Sequence, residues 1–388
     1  MIYLDNAATT PVRPEVLEAM LPYFNVQFGN ASTVYRLGHQ SREALRGSRE
    51  KIASLIHAKE TEIFFTSGGS ESDNWALKGI FESRKADFAH PHIITTSIEH
   101  HAVLETCRWL ETQGAEITYL PVNEEGLIDP AEAEKNIRPE TVLISVMMAN
   151  NEIGTIQPVR EIGEIAHRHH ILFHTDAVQT FGQIPIDVEK MNIDLLSASS
   201  HKLGGPKGVG MLYVKEGVCL PPMIHGGSQE RGERAGTENI PGIVGFARAA
   251  EAAGSGMEEQ MTRESNLRDR MIRQIQTSIP GCTLNGPDPL HPGAGRKRLP
   301  GNVNFCFDGI ESEELLVLLD KDDICASSGS ACSAGSVKPS HVLKAIGRDD
   351  RKARSAVRFS IGTYNTWSEI ETALHVLKED VENLRLIG

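Results

Sequence analysis

The stretch ILFHTDAVQTFGQIPIDVEKMNIDLLSASSHKLGGPKG, residues 171–208, decides the fold. It contains two short apolar runs, ILFHT and DLLSAS, which have the length of buried strands. The first run leads into Asp176 and the second into His201 and Lys202. Since the carboxyl ends of parallel strands meet at one edge of a sheet, we expect a carboxylate and an amine to meet at that edge.

Similar runs surround this stretch from about residue 60 to residue 215. They are EIFFT, HIITTS, EITYLPV, TVLISVMMA and GMLYV, and helical patterns such as AVLETCRWLETQG and VREIGEIAHRHH lie between them. The alternation predicts an α/β fold, with βαβ units, right-handed crossovers and a mainly parallel sheet flanked by helices on both faces. Before the first run, Leu45, Ile52, Leu55 and Ile56 recur at helical spacing, which predicts an amphipathic helix.

The length and composition favour two packed domains, because 388 residues with 40% hydrophobic content exceed one ordinary core. The alanine-rich run GIVGFARAAEAA leads into the long polar helix MEEQMTRESNLRDRMIRQIQTSI, and we place the boundary near residue 255. We expect a large cofactor-binding domain over residues 15–255. A smaller α+β domain would then combine residues 1–14 with residues 256–388, including the runs VNFCFD and AVRFSIG and a terminal helix from about Ser368.

Charge and patterning exclude several classes of function. A formal net charge of −13 disfavours nucleic acid, so any anionic ligand must meet local positive groups. There is no basic leader before an apolar stretch and no apolar run near the roughly 20 residues that a membrane helix needs. We therefore expect a cytoplasmic protein without membrane contact. The six cysteines form no CxxC pair, which predicts reduced thiols and no metal site.

A phosphate cradle is the first candidate binding element. The segment TSGGSESDN, residues 66–74, follows an apolar run and opens a helical pattern. Its glycines allow backbone N–H groups to approach an anion, Ser70 adds a hydroxyl, and the helix N-terminus adds partial positive charge. Glycine–serine turns before helices are common, so an ordinary turn remains an alternative.

Two further candidate binding residues, Asp176 and Lys202, lie at the ends of predicted strands. Asp176 could be a simple helix cap, but Lys202 at a buried strand end is costly unless the amine is paired or used covalently. Pyridoxal phosphate requires a lysine for a Schiff base, a carboxylate for the pyridine nitrogen and a phosphate cradle at a helix N-terminus. We therefore predict an enzyme that uses pyridoxal 5′-phosphate and holds it on Lys202.

A series of longer motifs runs through nearly the whole chain in a fixed order. They are YLDNAATTP (3–11), FGNAST (28–33), SGGSESDN (67–74), SIEHHAVL (97–104), NNEIGT (150–155), HTDAVQ (174–179), SSHKLGGPKG (199–208), RAGTEN (234–239), SSGSACSAG (327–335) and VRFSIG (357–362). With these motifs the chain resembles the cysteine desulfurases of the NifS/IscS type, within the fold-type I aminotransferase superfamily. It departs from the usual pattern at Ser70, where threonine is frequent, and at His101, where lysine is frequent.

The resemblance implies a role for each matching residue around the cofactor. It implies that Lys202 forms the Schiff base, Asp176 contacts the pyridine nitrogen, Gln179 bonds the ring oxygen and His100 stacks on the ring and carries protons. The residues implied to hold the phosphate are Gly69, Ser70, Ser199 and His201, with Thr237 reaching in from the other subunit of a homodimer.

Arg358 and Asn151 are implied to bind the carboxylate of the substrate, and Asn151 also lies beside the cofactor. A planar guanidinium that donates two hydrogen bonds suits a carboxylate better than an ammonium does. A structural salt bridge is the alternative for Arg358.

Cys332 differs in context from the other thiols. It lies in SSGSACSAGSVKPS, a stretch of small residues without apolar periodicity, where we expect a flexible, accessible loop. From the residues alone, a loop cysteine without a role is the favoured interpretation. The resemblance makes Cys332 the nucleophile, whereas we interpret Cys325 as a strand-end core residue, Cys306 as a core residue and Cys107 as part of a buried helix face.

The implied activity is the conversion of L-cysteine to L-alanine, with a persulfide formed on Cys332. A protein acceptor, such as an iron–sulfur scaffold or a tRNA-thiolation enzyme, would then take the sulfur for clusters, thiolated tRNA or sulfur cofactors. An aminotransferase, a selenocysteine lyase and a catalytically silent scaffold are the rivals. The joint presence of Lys202, Asp176, Arg358 and Cys332 argues against the silent scaffold.

Overall fold

The computed structural model describes residues 1–291, 297–328 and 339–387. Its strands are β1 (Ile2–Tyr3), β2 (Ile63–Thr66), β3 (His92–Thr96), β4 (Glu116–Leu120), β5 (Thr141–Ser145), β6 (Leu172–Asp176), β7 (Leu195–Ser199), β8 (Gly210–Val214), β9 (Cys282–Leu284), β10 (Asn302–Phe307), β11 (Ile324–Cys325) and β12 (Ala356–Ser360). Its helices are α1 (Pro14–Met20), α2 (Pro22–Asn25), α3 (Arg36–Leu55), α4 (Gly69–Arg84), α5 (His101–Thr112), α6 (Pro130–Lys135), α7 (Val159–Arg168), α8 (Ile240–Ser255), α9 (Met257–Ser278), α10 (Ser312–Lys321), α11 (His341–Ala345), α12 (Asp350–Arg354) and α13 (Trp367–Ile387).

The central sheet has seven strands in the order β2-β8-β7-β6-β5-β3-β4. Every apolar run from EIFFT to GMLYV forms one of these strands, so the predicted α/β fold is confirmed. The pairs among β7, β6, β5, β3 and β4 are parallel, whereas β8 runs antiparallel to both of its neighbours. The sheet is therefore mainly parallel, as predicted, with one reversed strand near an edge.

Helices cover both faces of this sheet because successive strand residues point in opposite directions. Ile94 and Ile144 pack with α3 and α8 on one face, whereas Ile93 and Leu143 pack with α4 and α5 on the other. Because both faces of the sheet are covered, the strand sequences are continuous apolar runs and do not alternate between apolar and polar residues. The helix predicted from the spacing of Leu45 is α3, which buries that leucine against the sheet.

A second, three-stranded antiparallel sheet has the order β12-β10-β9. It packs with α9, α10 and α13 around a separate apolar cluster that includes Met271, Phe305 and Leu377. The break between α8 and α9 falls at Gly256, next to the expected boundary, although the division into two domains stays a prediction. In the described part of the chain, no helix is long and apolar enough to cross a membrane.

Residues 1–13 connect the two sheets. Strand β1 pairs in parallel with β11, and Asp5 forms a bridge with Ser360 at the end of β12. Further along, the backbone N–H of Thr10 donates to the His201 carbonyl at 2.9 Å, just beyond β7. This segment therefore lies over the carboxyl ends of the central strands, and it forms part of the cavity there.

Candidate active site

A cavity of about 430 Å³ opens at the carboxyl ends of the central strands. The residues predicted for the site that line it are Gly69, Ser70, His100, Asn151, Asp176, Gln179, Ser199, His201, Lys202 and Arg358. We call residues 69–70, 176–179 and 199–202 the strand-end wall, because each group lies at the carboxyl end of a strand of the central sheet or within a few residues of it. Residues 7–8, 341 and 358 form the opposite wall. Residues named from separate sequence motifs therefore line one shared cavity.

The amine of Lys202 belongs to the strand-end wall and contacts the opposite one. A short 3₁₀ turn after β7 carries the residue, and its Nζ donates to the carbonyl oxygens of Ala7 and Ala8 at 2.7 and 2.8 Å. The side-chain amide of Gln179 donates to the Ala7 oxygen at 3.0 Å. The motif DNAATT therefore contributes backbone carbonyls to the site, a role that sequence reasoning did not assign.

Two buried carboxyl groups lie at the base of the cavity. Asp176 ends β6, and its Oδ1 accepts the backbone N–H of Val178 at 2.9 Å. Burial raises its pKa, while His100, the Val178 N–H and Lys202 lower it. The pKa of Asp73 is raised well above its ordinary value by burial and by the charge of Asp176. Because two adjacent buried carboxyls do not both ionise, we assign the proton to Asp73 and the negative charge to Asp176.

The N-terminus of α4 supplies the anion cradle. Gly68 has φ of 154°, a conformation that suits glycine, and a Cβ on Gly69 would lie 2.5 Å from the Cγ2 of Val178. Ser199 lies beside this turn, since its Oγ is 3.7 Å from the position of a Cβ on Gly68. Nearby, His201 shares a hydrogen bond of 3.1 Å between its Nδ1 and a threonine hydroxyl. Small residues, helix N–H groups and hydroxyls thus converge on one end of the cavity.

These groups fit pyridoxal 5′-phosphate. The buried carboxylate of Asp176 suits a protonated pyridine nitrogen, because a buried anion is stabilised by a paired cation. Lys202 presents an amine to the same space, and Gly69 leaves room where any side chain would clash. The cavity therefore brings together an amine, a carboxyl group and a glycine-lined helix N-terminus, which are the groups that this cofactor requires.

His100 is the N-cap of α5, and its Nδ1 accepts the backbone N–H of Ala102 at 3.1 Å. A ring nitrogen that accepts carries no proton, so the neutral imidazole is protonated at Nε2. Burial lowers the pKa of His100, while Asp176 raises it and Lys202 lowers it further. A neutral, oriented imidazole on the cavity wall is suited to proton transfer.

Arg358 lies in β12 and is only 1% exposed. Its Nη2 donates to Asp5 Oδ1 at 2.8 Å and its Nη1 to the Asn151 carbonyl at 3.0 Å. The structural salt bridge considered from sequence therefore exists, with Asp5 as the partner. The Nε atom is buried without a hydrogen-bond partner in the described ranges, which leaves one donor for a carboxylate in the cavity.

Sequence reasoning missed several titratable groups that line the same cavity. The missed residues are Asp73, Glu99, His101, Glu152 and His341. Burial raises the pKa of Glu99 to about 8 and that of Glu152 to about 7. Both glutamates lie inside quoted motifs, SIEHHAVL and NNEIGT, so the signal that could have found them was their position beside His100 and Asn151.

Among the predicted site residues that the structure describes, one does not line this cavity. Thr237 is exposed and does not line the cavity of its own chain. Cys332 lies outside the described residues, within 329–338. Cys107 and Cys306 are buried, as predicted, but Cys325 is only half-buried because it lies on the short strand β11.

Fold and site together define an enzyme that uses pyridoxal 5′-phosphate. The family model for class-V aminotransferases matches residues 2–373. "Cysteine desulfurase IscS" of Methanosarcina thermophila is 53% identical over 99% of this chain and 93% of that protein. The chain belongs to the class-V aminotransferase family and, within it, to the NifS/IscS-type cysteine desulfurases.

Solved structures agree with this assignment. A "NifS-like protein" has a TM-score of 0.91 and 38% identity, over 98% of this chain and 99% of that chain. "SspA in complex with cysteine" has a TM-score of 0.81 and 39% identity, over 94% of this chain and 100% of that chain.

Proposed function

We propose that this chain converts L-cysteine to L-alanine and retains the sulfur as a persulfide on Cys332. The observation that carries the proposal is the cavity in which Lys202, Asp176, His100 and Arg358 meet, in a chain of the cysteine desulfurase family. When bound, pyridoxal 5′-phosphate withdraws the electrons left on the substrate carbon as bonds there break.

The cavity residues would act on the substrate in a definite order. Arg358 and Asn151 bind its carboxylate, and the planar guanidinium sets its orientation. Lys202 holds the cofactor at rest and then, with its amine released, removes the Cα proton of the substrate. His100, as a neutral imidazole, transfers protons on the same side of the cavity.

Sulfur transfer would then depend on the Cys332 thiolate. The thiolate attacks the substrate sulfur, an S–S bond forms, and the C–S bond breaks with its electron pair remaining on the substrate carbon. That carbon takes up a proton and becomes the methyl group of alanine. The cysteine thiol is thereby oxidised to a persulfide while the substrate carbon is reduced, so no external oxidant is needed.

The test is turnover of L-cysteine with a reductant, measured as alanine and sulfide, in the wild type and in Cys332→Ala. We expect the variant to keep the absorbance of bound cofactor and to lose turnover. Cys219→Ala is the matched control, since that thiol is exposed and does not line the cavity, and it should turn over normally. Undiminished sulfide release by Cys332→Ala would refute the assignment of the nucleophile.

We also propose a homodimer. Large apolar side chains are exposed along one segment of the chain, namely Leu17, Leu21, Phe24, Val26, Phe28, Val34 and Tyr35, with exposures from 49% to 96%. A second copy would cover such a surface. Thr237, exposed in its own chain, would then reach the phosphate of the partner's site.

A mixed dimer tests this arrangement. One subunit carries Lys202→Ala and the other carries Thr237→Ala. If Thr237 acts across the interface, one site is intact and about half of the wild-type activity remains. If Thr237 serves its own chain, the mixed dimer is no more active than half of the Thr237→Ala homodimer, and the proposal fails.

The final sulfur acceptor is proposed to be a protein in the cytoplasm, such as an iron–sulfur scaffold or a tRNA-thiolation enzyme. The cysteines in the described ranges are all free thiols, as expected in a reducing compartment. The measurement is transfer of labelled sulfur from the persulfidated enzyme to a purified acceptor of each kind.

A further inference from the structure

Two side chains just after residues 329–338 are hydrogen-bonded to the cavity wall. Ser340 is the N-cap of α11, and His341 is the first residue of that helix. Each one contacts a glutamate that is adjacent in sequence to a residue predicted to touch the cofactor or the substrate. The proposed mechanism uses neither contact.

The first contact joins Ser340 to Glu152. The serine Oγ donates to Glu152 Oε2 at 2.5 Å and accepts the backbone N–H groups of Val342 and Leu343 at 3.1 and 3.2 Å. Ser340 and Glu152 are each only 4% exposed, so water does not compete for this bond. Glu152 directly follows Asn151, which is predicted to bind the substrate carboxylate.

The second contact joins His341 to the backbone of Glu99. The His341 Nε2 lies 3.0 Å from the Glu99 carbonyl oxygen, and a carbonyl can only accept, so Nε2 carries the proton. Glu99 directly precedes His100, the predicted proton carrier. The carboxylate of Glu99 is itself fixed by the backbone N–H of Met147 and the hydroxyl of Thr96. The histidine is therefore bonded to a rigid part of the wall.

The chain before residue 329 is also attached to the substrate site. Ser327 and Arg358 form an antiparallel bridge in which each backbone N–H donates to the carbonyl of the other, at 3.1 and 2.6 Å. The described residues on both sides of 329–338 are thus bonded to positions at or beside Arg358, Asn151 and His100.

We propose that Ser340 and His341, through Glu152 and Glu99, are positioning residues for the sulfur-transfer step. They fix where the chain that carries Cys332 joins the cavity wall, relative to the groups that hold the substrate. The inference rests on the proposed function. A misplacement of about 1 Å between reacting atoms can lower a rate by about a hundredfold, so such attachment points are relevant to the rate.

The experiment uses the full-length holoenzyme and measures three quantities: cofactor absorbance, KM for L-cysteine, and the single-turnover rate of persulfide formation on Cys332 by mass spectrometry. Ser340→Ala removes both the donor to Glu152 and the cap of α11, whereas Glu152→Gln keeps an acceptor for Ser340. His341→Ala removes the donor to Glu99, and His341→Gln retains one. Asp349→Ala removes the equivalent cap of α12 and is the matched control.

We expect Ser340→Ala and His341→Ala to slow persulfide formation by about tenfold or more, with cofactor absorbance unchanged and KM within about twofold. Glu152→Gln, His341→Gln and the control should stay near the wild type. Persulfide formation at the wild-type rate in both Ser340→Ala and His341→Ala would overturn the inference. A parallel loss of cofactor or of substrate affinity would also overturn it, because the contacts would then be structural only. A wild type that forms no persulfide refutes the proposed function itself.

Discussion

The two walls of the cavity are built in different ways. The strand-end wall is composed of short segments at or just beyond the ends of strands of one sheet, so Asp176 and Lys202 are placed by local chain geometry. The opposite wall brings together residues distant in sequence, and the Arg358–Asp5 bond joins positions 353 residues apart. The proposed cofactor groups on the first wall are therefore predictable from strand patterning, whereas the proposed substrate group on the second, Arg358, depends on how two sheets pack.

Under the proposed function, the strand-end wall carries the cofactor chemistry and the opposite wall binds the substrate, and mutations should separate the two. Lys202→Ala should have the largest effect, a loss of about a thousandfold or more in kcat, because the amine both holds the cofactor and removes a proton. The measurement is alanine formation together with cofactor absorbance. Lys207→Ala, an exposed lysine of the same glycine-rich loop, should be unaffected.

Asp176→Asn should lower kcat by about a hundredfold, because a neutral amide no longer stabilises a protonated pyridine nitrogen. Asp73→Asn is the paired test. Since Asp73 already holds a proton, its amide should behave like the native neutral carboxyl, and kcat should stay within about threefold. Equal losses in the two variants would show that the charge of the pair is not localised on Asp176.

Arg358→Lys should act mainly on KM for L-cysteine, raising it by about ten- to a hundredfold, because a lysine ammonium lacks the planar fork that bonds Asp5 and the Asn151 carbonyl while Nε–H is left for the substrate carboxylate. The change in kcat should be smaller. Steady-state kinetics checks the split, with exposed Arg354→Lys as the control. If Arg358→Lys lowered kcat as much as Asp176→Asn does, the division between the two walls would be wrong.

The smallest expected effect is that of Glu99 on how the free energy of unfolding changes with pH. The pKa of Glu99 is raised by burial to about 8, so the folded protein keeps this proton up to a pH at which the unfolded chain has released it. The contribution of Glu99 to the free energy of unfolding therefore falls as the pH rises from about 5 to about 8. Glu99→Gln mimics the protonated form and should remove about 2 kcal/mol of this fall between pH 6 and 8. Urea unfolding of the holoenzyme at both values checks this, with exposed Glu124→Gln as the control.

Much of the strand-end wall could be predicted from sequence. Short apolar runs predict the strands. A carboxylate or lysine at the end of such a run predicts a shared site, because the carboxyl ends of parallel strands lie at one edge of the sheet. The nearby Asp73 was nevertheless missed, since its position in α4 resembles an ordinary polar helix residue.

The opposite wall could not be derived in this way. Within this wall, Arg358 was assigned by resemblance alone and His341 was not assigned at all. Asp5, which bonds Arg358, and Glu152, which bonds Ser340, were not assigned either. Their contacts depend on how β12, α11 and residues 1–13 pack, and no local pattern encodes that packing. The bond between Ser340 and Glu152, for example, spans 188 residues.

The segment formed by residues 1–13 has a consequence for synthesis of the protein. Ala7 and Ala8 are translated early, yet the strands with which this segment pairs, β11 and β12, are translated late. At 5–20 residues per second, roughly 20–70 s separate the synthesis of Ala8 from that of Arg358. The central sheet can form on the ribosome during that time, but the opposite wall can be completed only after Arg358 has been synthesised. Cofactor capture is therefore expected to follow the pairing of residues 1–13 with β11 and β12, when both walls exist.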